Sequence, residues 1–273
     1  MNQQVWDISI EHLDGGYEGR LVLQDFSAVL PAGTITTILG ESGCGKTTLL
    51  RLLLGLNRPS AGSIHVGGRD ICRMSEAQFR KMRRRFGVLF QDGALISSLT
   101  LAENVALPLV EHTGLPRRTL RDAAMRTLAL VGLDKFSDYY PGELSGGMRK
   151  RAGLARAIVT EPPVLFCDEP TSGLDPITAA QMDQLLLDMK SCYPDMTTVV
   201  VTHDLGSVDH IAEHILVLRS GKAAFAGTKE ELHASQDPYL RRFLDRKFEE
   251  SRRMAAPPLD GSVRQALAEW LDD

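Results

Sequence analysis

The fold of this chain is decided by the stretch Gly40-Glu41-Ser42-Gly43-Cys44-Gly45-Lys46-Thr47. This spacing, GxxxxGKT, is that of a P-loop, whose backbone N–H groups surround nucleotide phosphates. The β-prone run 34–39 comes before it, and leucines at helical spacing follow it. A P-loop requires this strand, loop and helix order. The sequence therefore predicts an α/β nucleotide-binding fold.

The residue types of this loop suit phosphate binding. Its glycines let the backbone approach the phosphates, and the following helix N-terminus adds a favourable dipole. Lys46 is placed to neutralise the β and γ phosphates, and the Thr47 hydroxyl to ligate Mg²⁺. The alternative is a plain glycine-rich turn, but a chance match is expected only about one time in a hundred. We therefore expect ATP and Mg²⁺ as cofactors.

A second glycine-rich segment, Leu144-Ser145-Gly146-Gly147-Met148, opens another predicted helix. One chain cannot use two phosphate-binding loops on one nucleotide, but two copies facing each other can. Each nucleotide would then lie between the P-loop of one copy and the second segment of the other. The two motifs together predict a dimer that ATP closes.

Two carboxylates end the apolar run Val164-Leu165-Phe166-Cys167-Asp168-Glu169. Ligands of parallel sheets bind at the carboxyl ends of strands, so we expect Asp168 to hold Mg²⁺ through water and Glu169 to polarise the attacking water. The alternative is a pair of helix-capping residues. His203 follows the next buried run, 197–202, and should face the γ-phosphate by the same rule. An ordinary capping or surface histidine is the alternative there.

The order and content of these motifs resemble the nucleotide-binding subunits of ABC transporters over about residues 5–245. The resemblance implies a P-loop NTPase core of ABC type, with an antiparallel β flank and a helical lobe inserted at about 92–160. It also implies that Tyr17 stacks on adenine and that Gln91 links Mg²⁺ and the attacking water to the lobe. Ser145, Gly146 and Gly147 match the signature loop, and Ser172-Gly173-Leu174-Asp175 matches a loop that contacts the opposite subunit.

The resemblance assigns a role to each site residue. Catalysis is expected of Glu169, His203, Lys46 and Gln91, and Mg²⁺ binding of Thr47, Gln91 and Asp168. The residues expected at the nucleotide are Tyr17, Gly40, Glu41, Ser42, Gly43, Cys44, Gly45, Lys46, Thr47, Thr48, Ser145, Gly146, Gly147 and Asp175. Most members of the family have glutamine where this chain has Met148, and we expect altered dimer contacts without loss of hydrolysis.

The segments 93–95, 104–109 and 111–113 are similar to the ATPases of the Mla and other MCE-associated systems, as are the signature segment 144–148 and Asp175-Pro176-Ile177-Thr178. Those systems move phospholipids between the inner and outer membranes of Gram-negative bacteria. The resemblance implies an integral-membrane permease (MlaE-like), a periplasmic MCE protein, a STAS-domain protein and a place at the cytoplasmic face of the inner membrane. The alternative is that these apolar positions only fill the lobe core.

Three other functions remain open at this point. The chain could serve another ABC transporter, importing small solutes or releasing lipoproteins. It could be an ABC protein without a transport role, although it lacks the second cassette, coiled-coil insertion or zinc motif common in that class. A P-loop kinase or GTPase is disfavoured by the signature segment and by the missing base-specificity loop.

Composition narrows the class of protein. The 273 residues are 43% hydrophobic, which supports a core, and the net charge of −4 predicts no nucleic-acid partner. No uncharged apolar run reaches the roughly 18 residues that span a bilayer, and the first residues do not resemble a secretion signal. The four cysteines form no CxxC pair, which indicates reduced thiols in the cytosol.

Several elements can be predicted from periodicity and capping signals. A turn is expected at Gly15-Gly16, and a capping box of Ser75 and Gln78 should open a helix that runs to about Arg85. Further strands are expected at 5–10, 22–30, 86–90, 164–167 and 197–202, a helix from Lys46 to Gly55, helices over 101–160 with breaks at 108, 114–116 and 141–142, a helix at 179–189, and a hairpin of 215–218 with 223–226.

The sequence leaves two alternative roles open for each of two features. Five cations, Arg80, Lys81, Arg83, Arg84 and Arg85, form a basic cluster that is either a solvated helix face or a contact for anionic lipid or a partner. The C-terminal tail, 246–273, contains a stripe of Val263, Leu267, Trp270 and Leu271. It either docks on the partner copy or is disordered.

Overall fold

The computed structural model describes residues 6–17, 19–245, 260–263 and 270. Its strands are β1 (Ile8–Tyr17), β2 (Arg20–Leu30), β3 (Ile35–Gly40), β4 (Ala61–Val66), β5 (Arg69–Asp70), β6 (Phe86–Leu89), β7 (Val164–Asp168), β8 (Thr197–Val201), β9 (His214–Arg219) and β10 (Lys222–Gly227). Its α-helices are α1 (Lys46–Leu53), α2 (Glu76–Arg83), α3 (Leu101–His112), α4 (Arg117–Leu130), α5 (Gly146–Ile158), α6 (Pro176–Cys192), α7 (Leu205–Ile211), α8 (Lys229–Ala234) and α9 (Pro238–Leu244). The chain divides into two compact units, Met1–Ala234 and Ser235–Asp273.

The central sheet has the strand order β10-β9-β3-β8-β7-β6. Strands β9, β3, β8, β7 and β6 run parallel, and β10 pairs antiparallel with β9. Alternate residues of β7 enter different cores. Leu165 and Cys167 pack among the helices α3 to α6, whereas Val164 and Phe166 pack with α1 and the second sheet. The sheet is thus covered on both faces, as its continuous apolar strands predict.

The second sheet is antiparallel, with the order β2-β1-β4-β5. Residues from its inner face, such as Ile8, Phe26 and Ile64, are fully buried and share a core with Leu49 of α1. This sheet is the predicted antiparallel flank. Strands β4 and β5 were not predicted, because their alternation is short and lies beside glycine turns.

The turn expected at Gly15-Gly16 is wrong, because β1 continues through both glycines to Tyr17. The pairing of β1 with β2 shifts register on each side of Gly15, so the glycines are bulge positions inside the strand. A Cβ on Gly16 would lie 1.9 Å from the carbonyl oxygen of Arg20. The glycine therefore permits a close approach of two strands.

The region 101–158 contains three α-helices, and the break expected at 114–116 separates α3 from α4. The break expected at 141–142 is misplaced, because α4 already ends at Leu130 and 3₁₀ turns at Asp134–Phe136 and Pro141–Glu143 connect it to α5. The break expected at Pro108 is wrong, since α3 runs through it to His112. Proline removes one helical hydrogen bond. The helix persists because Leu101 and Val105 are fully buried and because Thr100 and Glu103 form a capping box at its start.

The predicted capping box of Ser75 and Gln78 is present, but α2 ends at Arg83 and not at Arg85. All five residues of the basic cluster are exposed, and Arg83 pairs with Glu76 at 3.3 Å. In the second unit, the rings of Tyr239 and Phe243 stack at 6.1 Å. Leu267 and Leu271 of the predicted tail stripe lie outside the described residues.

The α/β fold class predicted from the P-loop is confirmed by these two sheets and their helices. Among the described residues, no helix combines the length and the apolarity that crossing a bilayer would need.

Candidate nucleotide-binding site

The P-loop connects the end of β3 to the start of α1. Gly45 precedes the helix with φ at 116°, which favours glycine, and a Cβ there would lie 2.8 Å from Cδ2 of Leu23. No side chain caps α1, so the N–H groups of its first turn remain available to an anion. The Nζ of Lys46 folds back over the loop and donates to the carbonyls of Gly40 at 2.7 Å and Glu41 at 3.1 Å.

A cavity of about 740 Å³ opens over this loop. Its size lies within the range of small-molecule sites. The predicted residues that line it are Tyr17, Gly43, Gly45, Lys46, Thr47 and Thr48. The ring of Tyr17 is partly exposed, and the guanidinium of Arg51 lies 5.7 Å from its centroid. A glycine-lined loop beside an accessible aromatic ring fits a nucleotide.

The cavity also has walls that were not predicted. Val22 and Gln24 of β2 line it, as do Ser220 and Gly221 of the turn between β9 and β10. The N–H of Gly221 donates to the carbonyl of Cys44 at 3.1 Å, so this turn is joined to the P-loop. The sequence signals the turn itself, but its approach to a loop far away in the chain has no local signal.

Asp168, Glu169 and His203 meet at the carboxyl edge of the central sheet. Asp168 lies opposite Val201 in the register of β7 and β8, and the N–H of Glu169 donates to the carbonyl of Val201 at 2.8 Å. The Nδ1 of His203 hydrogen-bonds Oε1 of Glu169 at 2.9 Å. The predicted acidic strand end and histidine are therefore brought together.

The environment of Asp168 suits a cation. Burial and the neighbouring charge of Glu169 raise the pKa of its carboxyl, while the charges of Lys150 and Lys46 act in the opposite direction. The described residues contain no group of three or more His, Cys, Asp and Glu side chains that could hold a metal. A cation here would need phosphate oxygens besides Asp168 and Thr47, which is how Mg²⁺ is commonly bound.

Gln91 follows β6 and reaches the loop after β7. Its Nε2 donates to the Ser172 hydroxyl at 3.3 Å, which leaves the amide oxygen as the atom able to face a cation. Asn104, which was not predicted, is fully buried and fixes the segment after Gln91. It accepts from the N–H of Ile96 and donates to the carbonyls of Ile96, Leu99 and Thr100.

The signature segment begins α5 but does not join this cavity. Ser145 caps the helix, and its hydroxyl accepts from the N–H of Met148 at 3.2 Å. Ser145 and Gly146 are exposed, and Gly147 is buried, where an added Cβ would lie 2.5 Å from Cγ2 of Thr178. Among the residues that the structure describes, those lining the P-loop cavity include no member of this segment. One copy of the chain therefore presents two separate glycine-rich surfaces.

Asp175, predicted at the opposite nucleotide, is the N-cap of α6. Its carboxylate accepts from the N–H groups of Ile177 and Thr178, both at 3.1 Å. The hydrogen bond from the Thr178 hydroxyl is the main reason that the pKa of Asp175 is lowered. The structure shows the capping role, and contact with a nucleotide stays a prediction.

The ABC transporter family matches residues 23–172 of the chain. This chain belongs to that family. The chain is 43% identical to the intermembrane phospholipid transport system ATP-binding protein MlaF of Escherichia coli over 226 residues, which cover 83% of this chain and 84% of that protein. It is 38% identical to MlaF of Haemophilus influenzae over 89% of this chain and 91% of that protein.

A further curated relative is the "Probable ribonucleotide transport ATP-binding protein mkl" of Mycobacterium tuberculosis, with 42% identity over 87% of this chain. The chain spans 66% of the length of that protein. Among solved structures, cbiO1 of Clostridium perfringens, described as part of an ABC transporter complex, matches with a TM-score of 0.78 and 29% identity over 88% of this chain and 95% of that chain. The cassette MJ0796, solved as a dimer with ADP and phosphate, matches with a TM-score of 0.74 and 29% identity over 81% of this chain and 98% of its own.

Proposed function

We propose that this chain is the ATP-hydrolysing subunit of an ABC transporter complex that moves phospholipids between membranes. The phospholipid assignment is supported by identity to two MlaF proteins over most of both chains. The ATPase assignment is supported by a P-loop, an acidic strand end and a paired histidine at one sheet edge. The observation that carries it is the hydrogen bond between His203 and Glu169 at that edge.

Each residue has a distinct part in the proposed reaction. The P-loop amides and Lys46 bind and neutralise the β and γ phosphates. Thr47, Gln91 and Asp168 would hold Mg²⁺, which would supply further neutralisation of phosphate charge. Glu169 orients and polarises the attacking water, and His203 holds the Glu169 carboxylate and faces the γ-phosphate. Positioning and charge neutralisation supply most of the catalysis in such a transfer.

The active unit is a dimer in which each nucleotide lies between the P-loop of one copy and Ser145, Gly146 and Gly147 of the other. This is supported by the separation of the two glycine-rich surfaces in one copy. It is also supported by the dimeric form of the related cassette MJ0796. ATP closes the pair, and release of phosphate opens it.

The partners follow from the same likeness. An integral-membrane permease (MlaE-like) receives the work of the dimer and holds it at the cytoplasmic face of the inner membrane. A periplasmic MCE protein and a STAS-domain protein complete the complex. Lipid specificity resides in these partners and not in the nucleotide site.

The substitution Glu169→Gln tests the ATPase assignment. Removing the carboxylate should lower turnover by about a hundredfold or more, while MgATP still binds and traps the closed dimer. Steady-state hydrolysis and light scattering with and without MgATP measure the two effects. A variant that stays monomeric with MgATP, or that hydrolyses at the wild-type rate, would contradict the role.

A ribonucleotide is the second candidate for the transported molecule, because the name of a relative that is 42% identical refers to ribonucleotide transport. The two are separated by purifying the chain with its permease in mild detergent and measuring ATPase activity in lipid nanodiscs. Stimulation by anionic phospholipid and none by added ribonucleotides supports the proposal. The reverse pattern would reassign the transported molecule, and recovery of the chain without any permease would refute the transporter role.

A further inference from the structure

Lys150 lies in the first half of α5 and is almost fully buried, with 5% of its surface exposed. Its Nζ donates to two main-chain carbonyls, that of Ser172 at 2.6 Å and that of Glu169 at 3.0 Å. Lysine is among the residues least often buried, because its charge loses its hydration. A buried ammonium at this position therefore indicates a use for its donors.

Both carbonyls belong to the segment that carries the proposed catalytic glutamate. Glu169 has φ at 49°, in the left-handed region that a residue other than glycine adopts at a cost. Such a conformation persists only where its surroundings fix it. Its N–H donates to Val201 of β8, and its carbonyl accepts from Lys150 of α5. The peptide groups on both sides of the Glu169 Cα are thereby held, which sets the direction of its side chain toward His203.

Ser172 extends this network to Gln91. Its carbonyl accepts from Lys150, and its hydroxyl accepts from Nε2 of Gln91. Its N–H donates to the carbonyl of Glu169 at 3.2 Å. Lys150 thus donates to both Glu169 and Ser172, and Ser172 joins the glutamate to Gln91, the expected Mg²⁺ ligand.

Helix α5 also begins with the signature segment, so the helix that carries Lys150 starts with Ser145, Gly146 and Gly147. We propose that Lys150 is a positioning residue, which holds Glu169 for hydrolysis at the nucleotide of its own chain from a helix whose first turn serves the nucleotide of the partner. The proposal rests on the composite site described under the proposed function. It means that the seating of the signature segment on one nucleotide is transmitted to the glutamate of the other.

The substitution Lys150→Met tests the positioning role, because it keeps the length of the side chain and removes its donors. We expect kcat for ATP hydrolysis to fall by about tenfold or more, since a misplaced catalytic group is costly, while KM for MgATP changes by less than about threefold because the P-loop is intact. Lys150→Arg should recover part of kcat, since it restores the donors. Wild-type kcat in the methionine variant, or a loss in KM as large as that in kcat, would overturn the proposal.

The matched control is Arg151→Met on the same helix. Arg151 also donates to a main-chain carbonyl, that of Val131 at 3.3 Å, but it has no contact with Glu169 or Ser172 among the contacts of the described residues. Its kcat should stay near the wild-type value, and an equal loss in both variants would mean that only the helix was disturbed. Melting temperatures are measured for each protein. If Lys150→Met does not fold, Lys150→Gln carries the same comparison, with loss of kcat expected and retention overturning the proposal.

Mixed dimers show through which nucleotide Lys150 acts. One chain carries Lys46→Ala, so that only the P-loop of the other chain can hydrolyse, and differently tagged copies isolate the mixed pair. Lys150→Met placed in the chain with the working P-loop should lower the remaining activity by about tenfold or more. The same substitution placed in the Lys46→Ala chain should leave activity at the level of the Lys46→Ala and wild-type pair.

Activity could instead be lost when Lys150→Met lies in the Lys46→Ala chain and kept when it lies in the chain with the working P-loop. Lys150 would then act through the signature segment, and the proposal would be overturned. If the reference pair itself proves inactive, the kcat and KM comparison above decides. Failure of the composite site is seen separately, as absence of activity when Lys46→Ala and Ser145→Arg chains are mixed. That mixture contains no change at Lys150, so the two failures are distinguishable.

Discussion

At the scale of single residues, the P-loop shows how a backbone requirement selects a residue type. Gly45 combines a positive φ with close contact to Leu23, so both the conformation and the space exclude a side chain. Lys46, the next residue, begins α1 and returns its ammonium to the loop carbonyls. A phosphate that enters the loop would replace those carbonyls as the partner of Lys46.

Replacing Gly45 with alanine should therefore weaken ATP binding. The added Cβ forces the loop away from Leu23 and disfavours its conformation, and we expect the dissociation constant to rise by about tenfold or more. Titration with a fluorescent ATP analogue measures it. Gly114→Ala is the control, because a Cβ there has no atom within 4 Å. Unchanged affinity in the Gly45 variant would contradict the placement of phosphates in this loop.

Several site residues could be predicted from local motifs. Residues whose role depends on contacts between distant segments could not. Asp168, Glu169 and His203 follow apolar strands, and the rule that ligands meet at the carboxyl ends of strands places them together without knowledge of the fold. Lys150 and Asn104 gave no such signal. A lysine or an asparagine on a helix is normally exposed, and their burial depends on segments that approach from elsewhere in the chain.

At the scale of elements, α6 and α7 are joined by a buried polar contact. The Ser207 hydroxyl of α7 donates to Oδ2 of Asp183 on α6 at 2.8 Å, and the Thr171 hydroxyl lies 3.4 Å from that of Ser207. Asp183 is only 5% exposed. Burial raises the pKa of its carboxyl, and the hydrogen bond from Ser207 only partly offsets this. The contact joins the loop after Glu169 to the helix after His203.

The raised pKa of Asp183 gives stability a defined pH dependence. The folded state binds the proton of this carboxyl more tightly than the unfolded state, so ionisation costs stability as the pH rises through the normal aspartate pKa toward the raised one. Asp183→Asn removes that cost and keeps an acceptor for Ser207. We expect a higher melting temperature than wild type at pH 8, and a gain that shrinks as the pH is lowered through the pKa of Asp183.

Scanning fluorimetry over a pH series measures this gain. Asp188→Asn, on the exposed face of the same helix, should show no comparable gain. A lower melting temperature of Asp183→Asn at pH 8 would mean that the ionised carboxylate is required by the fold.

The elements themselves were predictable where burial pattern and caps agree. Strands β7 and β8 are continuous apolar runs, and α2 begins with a capping box that the structure contains. The helix break predicted at Pro108 is wrong, because burial of α3 in the core outweighs the loss of one helical hydrogen bond. The turn predicted at Gly15 and Gly16 is wrong, because β-bulges and turns use the same residue types.

At the scale of the whole molecule, one copy of the chain keeps its two glycine-rich motifs apart. The signature segment lies on a surface apart from the P-loop cavity, and in the proposed dimer a second copy would bring the two together. The opening motifs of the sequence already indicate this, because two phosphate cradles in one chain imply a shared site. The transported molecule could not be predicted from the site, since the roles proposed for the P-loop, Asp168, Glu169 and His203 all concern the nucleotide.

Two inactive chains should therefore restore activity when they are mixed. Lys46→Ala disables the P-loop, and Ser145→Arg places a bulky cation where the signature segment closes on the partner's nucleotide. A mixed pair keeps one site in which an intact P-loop meets an intact signature segment. With random pairing in a twofold dimer, hydrolysis should return to at most about a quarter of the wild-type rate. Either variant alone should stay inactive at every protein concentration, and the mixture should regain activity only where the chains pair. A mixture as inactive as its components, under conditions in which mixed dimers are detected by their tags, would refute a site built from two copies.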